Sequence, residues 1–229
     1  LESTLKSFFY VAKKLYGITF HKRTDLPVYN EDVVTYQVKE KNGNHLGIIY
    51  FDLYVRNNKR GGAWCWDFIR QHYLKKKKIY PIISLITNFS RPLKNRPTLL
   101  RLYEARVLYH ELGHALHSLF SNNSYKRISG MAVPRDFVEL PSKFIENYAF
   151  QPEVVKKFAK HYKTGKVLPS NLIQKLEKGK RHLNAVRLLR NAASAMLDIK
   201  YYTYSKVQPI NPKKFEIQCF QKISLPDFI

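Results

Sequence analysis

Cysteine is scarce in this chain of 229 residues, which contains only Cys65 and Cys219. Two thiols cannot form a disulfide framework, so the sequence is not that of a small disulfide-stabilised secreted domain, and it suits a reducing compartment. Long hydrophobic runs are missing as well. The longest apolar stretch, around Ile79 to Phe89, is far shorter than the roughly 20 residues of a transmembrane helix. We therefore expect no membrane span, and a hydrophobic content of 45% is enough for a substantial core.

Acidic residues are also few, because 17 Asp and Glu stand against 40 Lys and Arg, which gives a net charge of +23. Such an excess is typical of proteins that neutralise phosphates, and the run from Lys75 to Lys78 lies near the aromatic residues Tyr73, Tyr80 and Trp66. The positive charge is spread along the whole chain, however, and a run of lysines is most often a solvated loop. We expect no nucleic acid partner, and a basic binding protein without catalytic activity is kept as an alternative.

One short motif carries chemistry, since His110, Glu111 and His114 form the pattern HExxH in a stretch expected to be helical. A spacing of four residues places both imidazoles on one helical face, where they can reach a single zinc ion, with Glu111 beside them as a candidate general base. Charged residues are rare between Leu99 and Phe120, so this helix is expected to be buried. A metal then accounts for both imidazoles, whereas a chance motif needs a separate hydrogen-bond partner for each.

A third ligand is needed, because catalytic zinc usually has three protein ligands and one open position. Glu139 lies 25 residues after His114, beyond a polar loop, and a second helix that folds back brings it close. Without the motif, Glu139 is better explained as an exposed carboxylate near the start of a helix, stabilised by the helix dipole. Together with the motif, we favour Glu139 as the third metal ligand.

Hydrophobic periodicity predicts a mainly α fold with a small β-sheet. Alternating residues over 33–40 and 45–55 predict a hairpin around Asn42-Gly43, and further strands are predicted over 64–69 and 80–88. Helical periodicity predicts a first helix near the start of the chain and further helices over 98–120, 134–150, 153–162, 170–177 and 182–202. A small sheet therefore precedes a helical body that carries the motif.

The run from Tyr109 to Ser142, YHELGHALHSLFSNNSYKRISGMAVPRDFVELPS, resembles the active-site signature of the thimet oligopeptidase family of zinc metallopeptidases. Flanking segments resemble the same family, and two downstream segments, 147–169 and 195–202, resemble the branch that processes proteins imported into mitochondria. The resemblance implies an incomplete zincin-like catalytic region that holds one zinc ion per chain.

The resemblance also assigns roles to residues. His110, His114 and Glu139 match the family's zinc ligands, and Glu111 matches the residue that takes a proton from the attacking water and returns it to the leaving amine. Two further residues match family positions: for Asp136 we weigh orientation of a ligand imidazole against capping of its helix, and we interpret His117 as a core histidine.

Two features depart from the family pattern. Met131 follows Ser129-Gly130 where the family usually has Thr, which predicts a different specificity there. The family's His and Tyr donors to the oxyanion lie beyond a Leu-Pro that corresponds to Leu225-Pro226, and the chain ends at Ile229. We therefore expect a fragment of one catalytic domain over residues 1–229. A helix and the small sheet are expected in 1–97, and the helical body with the metal site in 98–229.

The implied activity is that of a zinc metalloendopeptidase whose substrate is a peptide or a precursor protein. The branch resemblance implies removal of a short N-terminal peptide from imported precursors in the mitochondrial matrix. A general intracellular oligopeptidase of the same family, in the cytoplasm, is the nearest alternative. A catalytically silent basic protein is the other.

Overall fold

The computed structural model describes residues 1–181, 184–205 and 209–221. The elements in chain order are α1 (Glu2–Tyr16), β1 (Thr19–Arg23), β2 (Val34–Lys39), β3 (His45–Tyr54), β4 (Trp64–Ile69), β5 (His72–Leu74), β6 (Lys77–Ile79), β7 (Ile82–Phe89), α2 (Leu102–Leu119), α3 (Arg135–Glu146), α4 (Pro152–Phe158), α5 (Ser170–Arg181), α6 (Asn184–Tyr202) and α7 (Pro212–Gln221). Short 3-10 turns cover Lys126–Ile128 and Asn147–Phe150. Helices with a small sheet were expected from the sequence, and this coarse prediction is confirmed.

The contacts divide the chain into two compact units, Leu1–Pro169 and Ser170–Ile229. The first unit contains the sheet and helices α1 to α4, and the second contains α5 to α7. The single domain over 1–229 stays a prediction. The predicted helix start at residue 182 and the segment Leu225-Pro226 to Ile229 lie outside the described residues. No described helix has the length and apolar character needed to span a bilayer.

The main sheet is mixed and has the strand order β1-β2-β3-β7-β4. Strands β3 and β7 are parallel, whereas the other neighbours are antiparallel. Strands β2, β3, β4 and β7 had been predicted from the sequence, the first two from alternating residues, and the predicted bounds of β4 match. Strand β4 lies at one edge of the sheet, next to the motif helix, which makes it important for the site described below.

Helix α2 carries the HExxH motif and belongs to the main hydrophobic core. The ring of Tyr109 packs edge-on against Phe8 of α1 at a centroid distance of 5.4 Å, and its hydroxyl lies 2.8 Å from Ser7 Oγ. Leu108, Leu112, Ala115 and Leu119 are fully buried in the same core. Because apolar neighbours enclose most of α2, the polar side chains of the motif are confined to one narrow face.

The sequence had predicted that this helix begins near residue 98, but α2 begins at Leu102. The backbone N–H of Arg101 donates a hydrogen bond to Glu104 Oε2 at 2.6 Å, one half of a capping box that starts the helix there. From Phe120 the chain crosses a loop and returns as α3, which packs closely against α2. The two helices are antiparallel, since Glu139 contacts His110 and His114 whereas Glu146, later on α3, contacts the earlier residues Arg106 and His110 of α2.

Candidate metal centre

Two imidazoles and one carboxylate converge between α2 and α3. Glu139 Oε2 lies 3.1 Å from His110 Nε2 and 3.4 Å from His114 Nε2. One potential ligand atom from each of these three residues lies within 4.8 Å of the other two. Ligands about 2.1 Å from a tetrahedral zinc ion are themselves separated by roughly 3.4 Å, so the two measured separations are of the size that a shared metal requires.

The close approach of the two helices depends on Gly113, inside the motif. A Cβ atom at this position would lie 2.6 Å from Ser142 Cα and 3.1 Å from Pro141 O. Backbone atoms of α3 therefore occupy the space that any larger residue would need. The same contact brings Glu139, three residues before Ser142, opposite the two histidines.

The carboxylate of Glu139 is oriented by its own helix. Ser142 Oγ donates hydrogen bonds to the backbone carbonyl and to Oε2 of Glu139, both at 2.9 Å. Burial raises the pKa of Glu139, but the Ser142 hydroxyl, the two imidazoles and Lys143 outweigh it, so the net shift is downward. Glu139 is therefore held in the ionised form that binds metal.

Glu146, two turns after Glu139 on the same face of α3, orients the first imidazole. Its Oε2 accepts a hydrogen bond from His110 Nδ1 at 3.0 Å, and His110 Nε2 is directed toward Glu139, so Nε2 is the nitrogen placed to bind a metal. Arg106 and Lys143 pair with the same carboxylate. Burial raises the pKa of Glu146, but hydrogen bonds from Lys143, Arg106 and His110 outweigh it and lower the pKa overall. A carboxylate that fixes a ligand imidazole in this way is a common feature of metal sites.

Sequence reasoning had considered Asp136 for that orienting role and had not named Glu146. In the structure Asp136 is exposed in the first turn of α3. The signal that sequence analysis did not use is the interval of seven residues between Glu139 and Glu146, which places both on one helical face.

Glu111 and the candidate ligand His114 are both buried, with residue exposures of 6% and 8%. Burial, with a smaller contribution from the charge of Glu139, raises the pKa of Glu111 to about 7. Burial lowers the pKa of His114 and outweighs the opposing charge of Glu139, so the neutral imidazole that binds metal is favoured. His114 Nδ1 is a buried nitrogen without a hydrogen-bond partner among the described residues.

The chemistry of these donors fits a divalent transition metal better than a hard cation. Two neutral imidazole nitrogens and one carboxylate are a ligand set used for zinc, whereas calcium and magnesium favour oxygen ligands. Glu139 is the exposed member, with 53% of its side chain accessible, so the centre opens to solvent on the side of α3. A substrate can approach the metal position only from an open side of this kind.

A cavity of about 590 Å³ lies next to the centre, between α2, the loop after it and α3. Its lining includes Leu116, His117, Phe120, Gly130, Leu140 and Phe144. His117 is half-buried, and its ring packs against Phe137 at a centroid distance of 6.2 Å. Leu140 and Phe144 lie on a different face of α3 from Glu139 and Glu146. His117 therefore faces this apolar cavity and is absent from the set of converging ligand atoms.

Comparison with known proteins places the chain among peptidases. The sequence model of peptidase family M3 matches residues 1–224. The chain is 36% identical to dipeptidyl carboxypeptidase of Escherichia coli (strain K12) over 194 residues, which cover 85% of this chain and 28% of that protein. It is 36% identical to oligopeptidase A of the same organism over 200 residues, which cover 86% and 29%. The mitochondrial intermediate peptidase of Arabidopsis thaliana is 34% identical over 191 residues, which cover 82% and 27%. The chain thus spans less than a third of the length of these relatives.

Proposed function

Because this chain belongs to peptidase family M3, we propose that it is the metal-binding part of a zinc metalloendopeptidase. His110, His114 and Glu139 hold the metal, and Glu111 is the catalytic carboxylate. The observation that supports this best is the convergence of Glu139 Oε2 on both Nε2 atoms, at 3.1 and 3.4 Å. Glu139 comes from a second helix and lies 25 residues after His114, so its convergence on the two histidines is poorly explained as a chance meeting.

Zinc at this position supplies Lewis-acid chemistry, because it polarises a carbonyl and makes water a better nucleophile. The chain's own residues then divide the remaining work. Glu111 follows His110 directly in the sequence and is shielded from solvent. It takes the proton of the attacking water and delivers it to the leaving amine when the peptide bond breaks. Glu146 keeps the His110 imidazole in one tautomer through the contact with Nδ1.

We further propose that the intact protein is of the mitochondrial intermediate peptidase type, a zincin-like enzyme that removes a short N-terminal peptide from precursors in the mitochondrial matrix. The resemblance of segments 147–169 and 195–202 and the similarity to the Arabidopsis protein support this assignment. A general intracellular oligopeptidase is the second candidate, favoured by the 36% identity with oligopeptidase A. Incubation of the full-length protein with an imported precursor and with a panel of short peptides separates the two, because only the first releases a short N-terminal peptide from the precursor.

The metal assignment is tested by elemental analysis of the purified full-length protein. We expect close to one zinc ion per chain, and Glu139→Ala should lose most of it, since one of three ligands is removed. Glu31→Ala changes an exposed glutamate outside the centre and serves as the matched control. Zinc content that is unchanged in Glu139→Ala would remove this residue as a ligand.

The role of Glu111 needs a separate variant. Glu111→Gln preserves the size of the side chain and removes its ability to accept a proton, so we expect full zinc content and loss of peptide hydrolysis in the full-length protein. A reporter peptide cleaved at the wild-type rate by this variant would contradict the assignment.

A further inference from the structure

Hydrogen bonds between Ser121 and the pair Ser129-Gly130 close the loop between the two ligand-bearing helices, and we call these three residues the neck of the loop. Ser121 Oγ lies 2.9 Å from Ser129 Oγ and accepts a hydrogen bond from the backbone N–H of Gly130 at 2.9 Å. Ser129 and Gly130 are both buried. The loop thus leaves α2 and returns at almost the same point, and α3 begins only five residues after Gly130.

The neck rests directly on the edge strand β4, at the carboxylate of Asp67. The side chain of Asp67 is 3% exposed. A Cβ atom on Gly130 would lie 2.8 Å from Asp67 Oδ2 and 3.1 Å from Ser118 Oγ, and Gly130 has a φ of 64°. Contact and backbone conformation both therefore require glycine. Burial raises the pKa of Asp67, and the nearby Ser118 hydroxyl, the Arg70 guanidinium and the Met131 N–H oppose that rise.

The chain just beyond β4 holds the first half of the same loop. Gln71 is fully buried, and its Oε1 accepts hydrogen bonds from the Asn123 N–H at 2.7 Å and from Ser129 Oγ at 3.5 Å. The backbone N–H of Tyr73 donates to Ser124 O at 3.2 Å, and its hydroxyl donates to Asn122 Oδ1 at 3.1 Å. Both arms of the loop are therefore attached to one short stretch of chain.

The segment 67–73, which holds the loop, contains buried polar groups at positions where apolar side chains would cost less free energy of desolvation. Two buried atoms in and around it, Gln71 Nε2 and His117 Nδ1, have no hydrogen-bond partner among the described residues. Each such group costs about 1–3 kcal/mol relative to a satisfied one. Departures of this kind are expected where function, rather than stability, selects the residues.

We propose that Asp67 and Gln71 form a latch that positions the third metal ligand. By fixing the neck of the loop, they set where α3 starts, and so they determine whether Glu139 meets His110 and His114. They are positioning residues, since neither is among the converging ligand atoms. Metal–ligand distances lie within about 0.2 Å of their ideal values, so a displacement of α3 that moves the Glu139 carboxylate by more than this weakens its bond to the metal. This inference rests on the proposed metal site.

The test compares zinc affinity in two aspartate variants of the full-length protein, measured by competition with a chromophoric chelator. Asp67→Asn keeps the shape of the side chain but replaces an acceptor oxygen by a donor, and we expect the Kd for zinc to rise about tenfold or more. Asp52→Asn is the matched control, because Asp52 is also 3% exposed, belongs to the same sheet and pairs only with Tyr29, Arg56 and Lys59 among the described side chains. It should lower the Tm and leave the Kd within about twofold.

A gentler variant protects the test against misfolding. Ser121→Ala removes the contacts of Ser121 Oγ with Ser129 Oγ, the Gly130 N–H and Asn123 Nδ2, and we expect the Kd to rise about fivefold, as for loss of roughly 1 kcal/mol. An unchanged Kd in Asp67→Asn or in Ser121→Ala, or an equal rise in Asp52→Asn, would overturn the latch.

Hydrogen exchange of the metal-free protein separates failure of the latch from failure of the proposed function. The amides of Asn123 and Gly130 should exchange faster in Asp67→Asn than in wild type, and at the wild-type rate in Asp52→Asn. If the wild-type protein binds no zinc and the variants still show this exchange pattern, the metal site is refuted but the hold of Asp67 and Gln71 on the loop is supported. A protein that binds zinc normally and shows no change in exchange refutes the latch alone.

Discussion

At the scale of single residues, Gly113 limits the distance between the two helices that hold the ligands. Gly113→Ala places a methyl group 2.6 Å from Ser142 Cα and 3.1 Å from Pro141 O. Because both of these are backbone atoms of α3, the helix must move as a whole. Glu139 moves with it, so we expect the zinc Kd to rise by about tenfold or more.

Gly179→Ala is the matched control for that substitution. Gly179 also lies in a helix, α5, but a Cβ atom there meets nothing within 4 Å. We expect this change to stabilise its helix by up to about 1 kcal/mol, because alanine has the higher helix propensity, and to leave the zinc Kd unchanged. Equal zinc affinities for Gly113→Ala and wild type would show that the contact with Ser142 does not set the ligand geometry.

At the scale of secondary-structure elements, the hairpin β5–β6 has an unusual turn. Lys75 and Lys76 both adopt positive φ values, 47° and 67°, where glycine and asparagine are preferred. Replacing the pair by Asn-Gly should therefore raise the free energy of unfolding, by about 1 kcal/mol, without changing the hairpin.

Urea unfolding of the variant and of wild type measures that gain. The same Asn-Gly replacement at Lys77-Lys78 is the control, and it should destabilise, since Lys77 and Lys78 belong to β6 and pair with Leu74 and Tyr73. A loss of stability in the first variant would contradict the turn assignment.

The same hairpin shows where sequence reasoning stopped. Strand β4 was predicted with its observed bounds, and its run of aromatic residues after two glycines is typical of a strand. A turn made of two lysines gives no local signal, so β5 and β6 were missed. Strand β1 was missed because its sequence, TFHKR, contains one apolar residue and no alternation. Helix α7, Pro212–Gln221, was also not predicted.

In the candidate site, too, some residues could be predicted from the sequence and others could not. HExxH is a local pattern, so the approach of His110 and His114 follows from helix geometry alone. Glu139 needed the additional assumption of a returning helix, and the resemblance supplied it. Glu146 shares a helical face with Glu139, a local signal that was not used, whereas Asp67 and Gln71 take part through contacts between elements far apart in sequence, which no local pattern encodes. Their assigned roles, like those of the four site residues, stay predictions until variants are measured.

At the scale of the whole molecule, cations are abundant in a chain with a net charge of +23, and a buried carboxylate that pairs with several of them is a point of electrostatic stabilisation. Asp52 is the clearest case, because it accepts hydrogen bonds from Arg56 at 2.5 and 2.7 Å and from Lys59 at 2.8 Å. Burial raises the pKa of Asp52, but its cationic partners and Tyr29 outweigh it and lower the pKa below 3.8. The resulting stabilisation is complete well above that value and is lost as the pH falls through the folded-state pKa.

The difference in unfolding free energy between wild type and Asp52→Asn should follow that titration. We expect about 3 kcal/mol near pH 7, because the variant leaves two cations without their carboxylate. The difference should stay constant down to about pH 5 and shrink below about pH 4. Urea unfolding at several pH values provides the measurement, and a difference that grows toward acid pH would contradict the assigned direction.

The central claim is that one metal ion binds between α2 and α3, and anomalous diffraction at the zinc absorption edge tests it most directly. Crystals of the zinc-loaded protein should give one strong peak within about 2.0–2.2 Å of His110 Nε2, His114 Nε2 and Glu139 Oε2. A peak that lies away from any of these three atoms, or no peak between the two helices, would contradict the account.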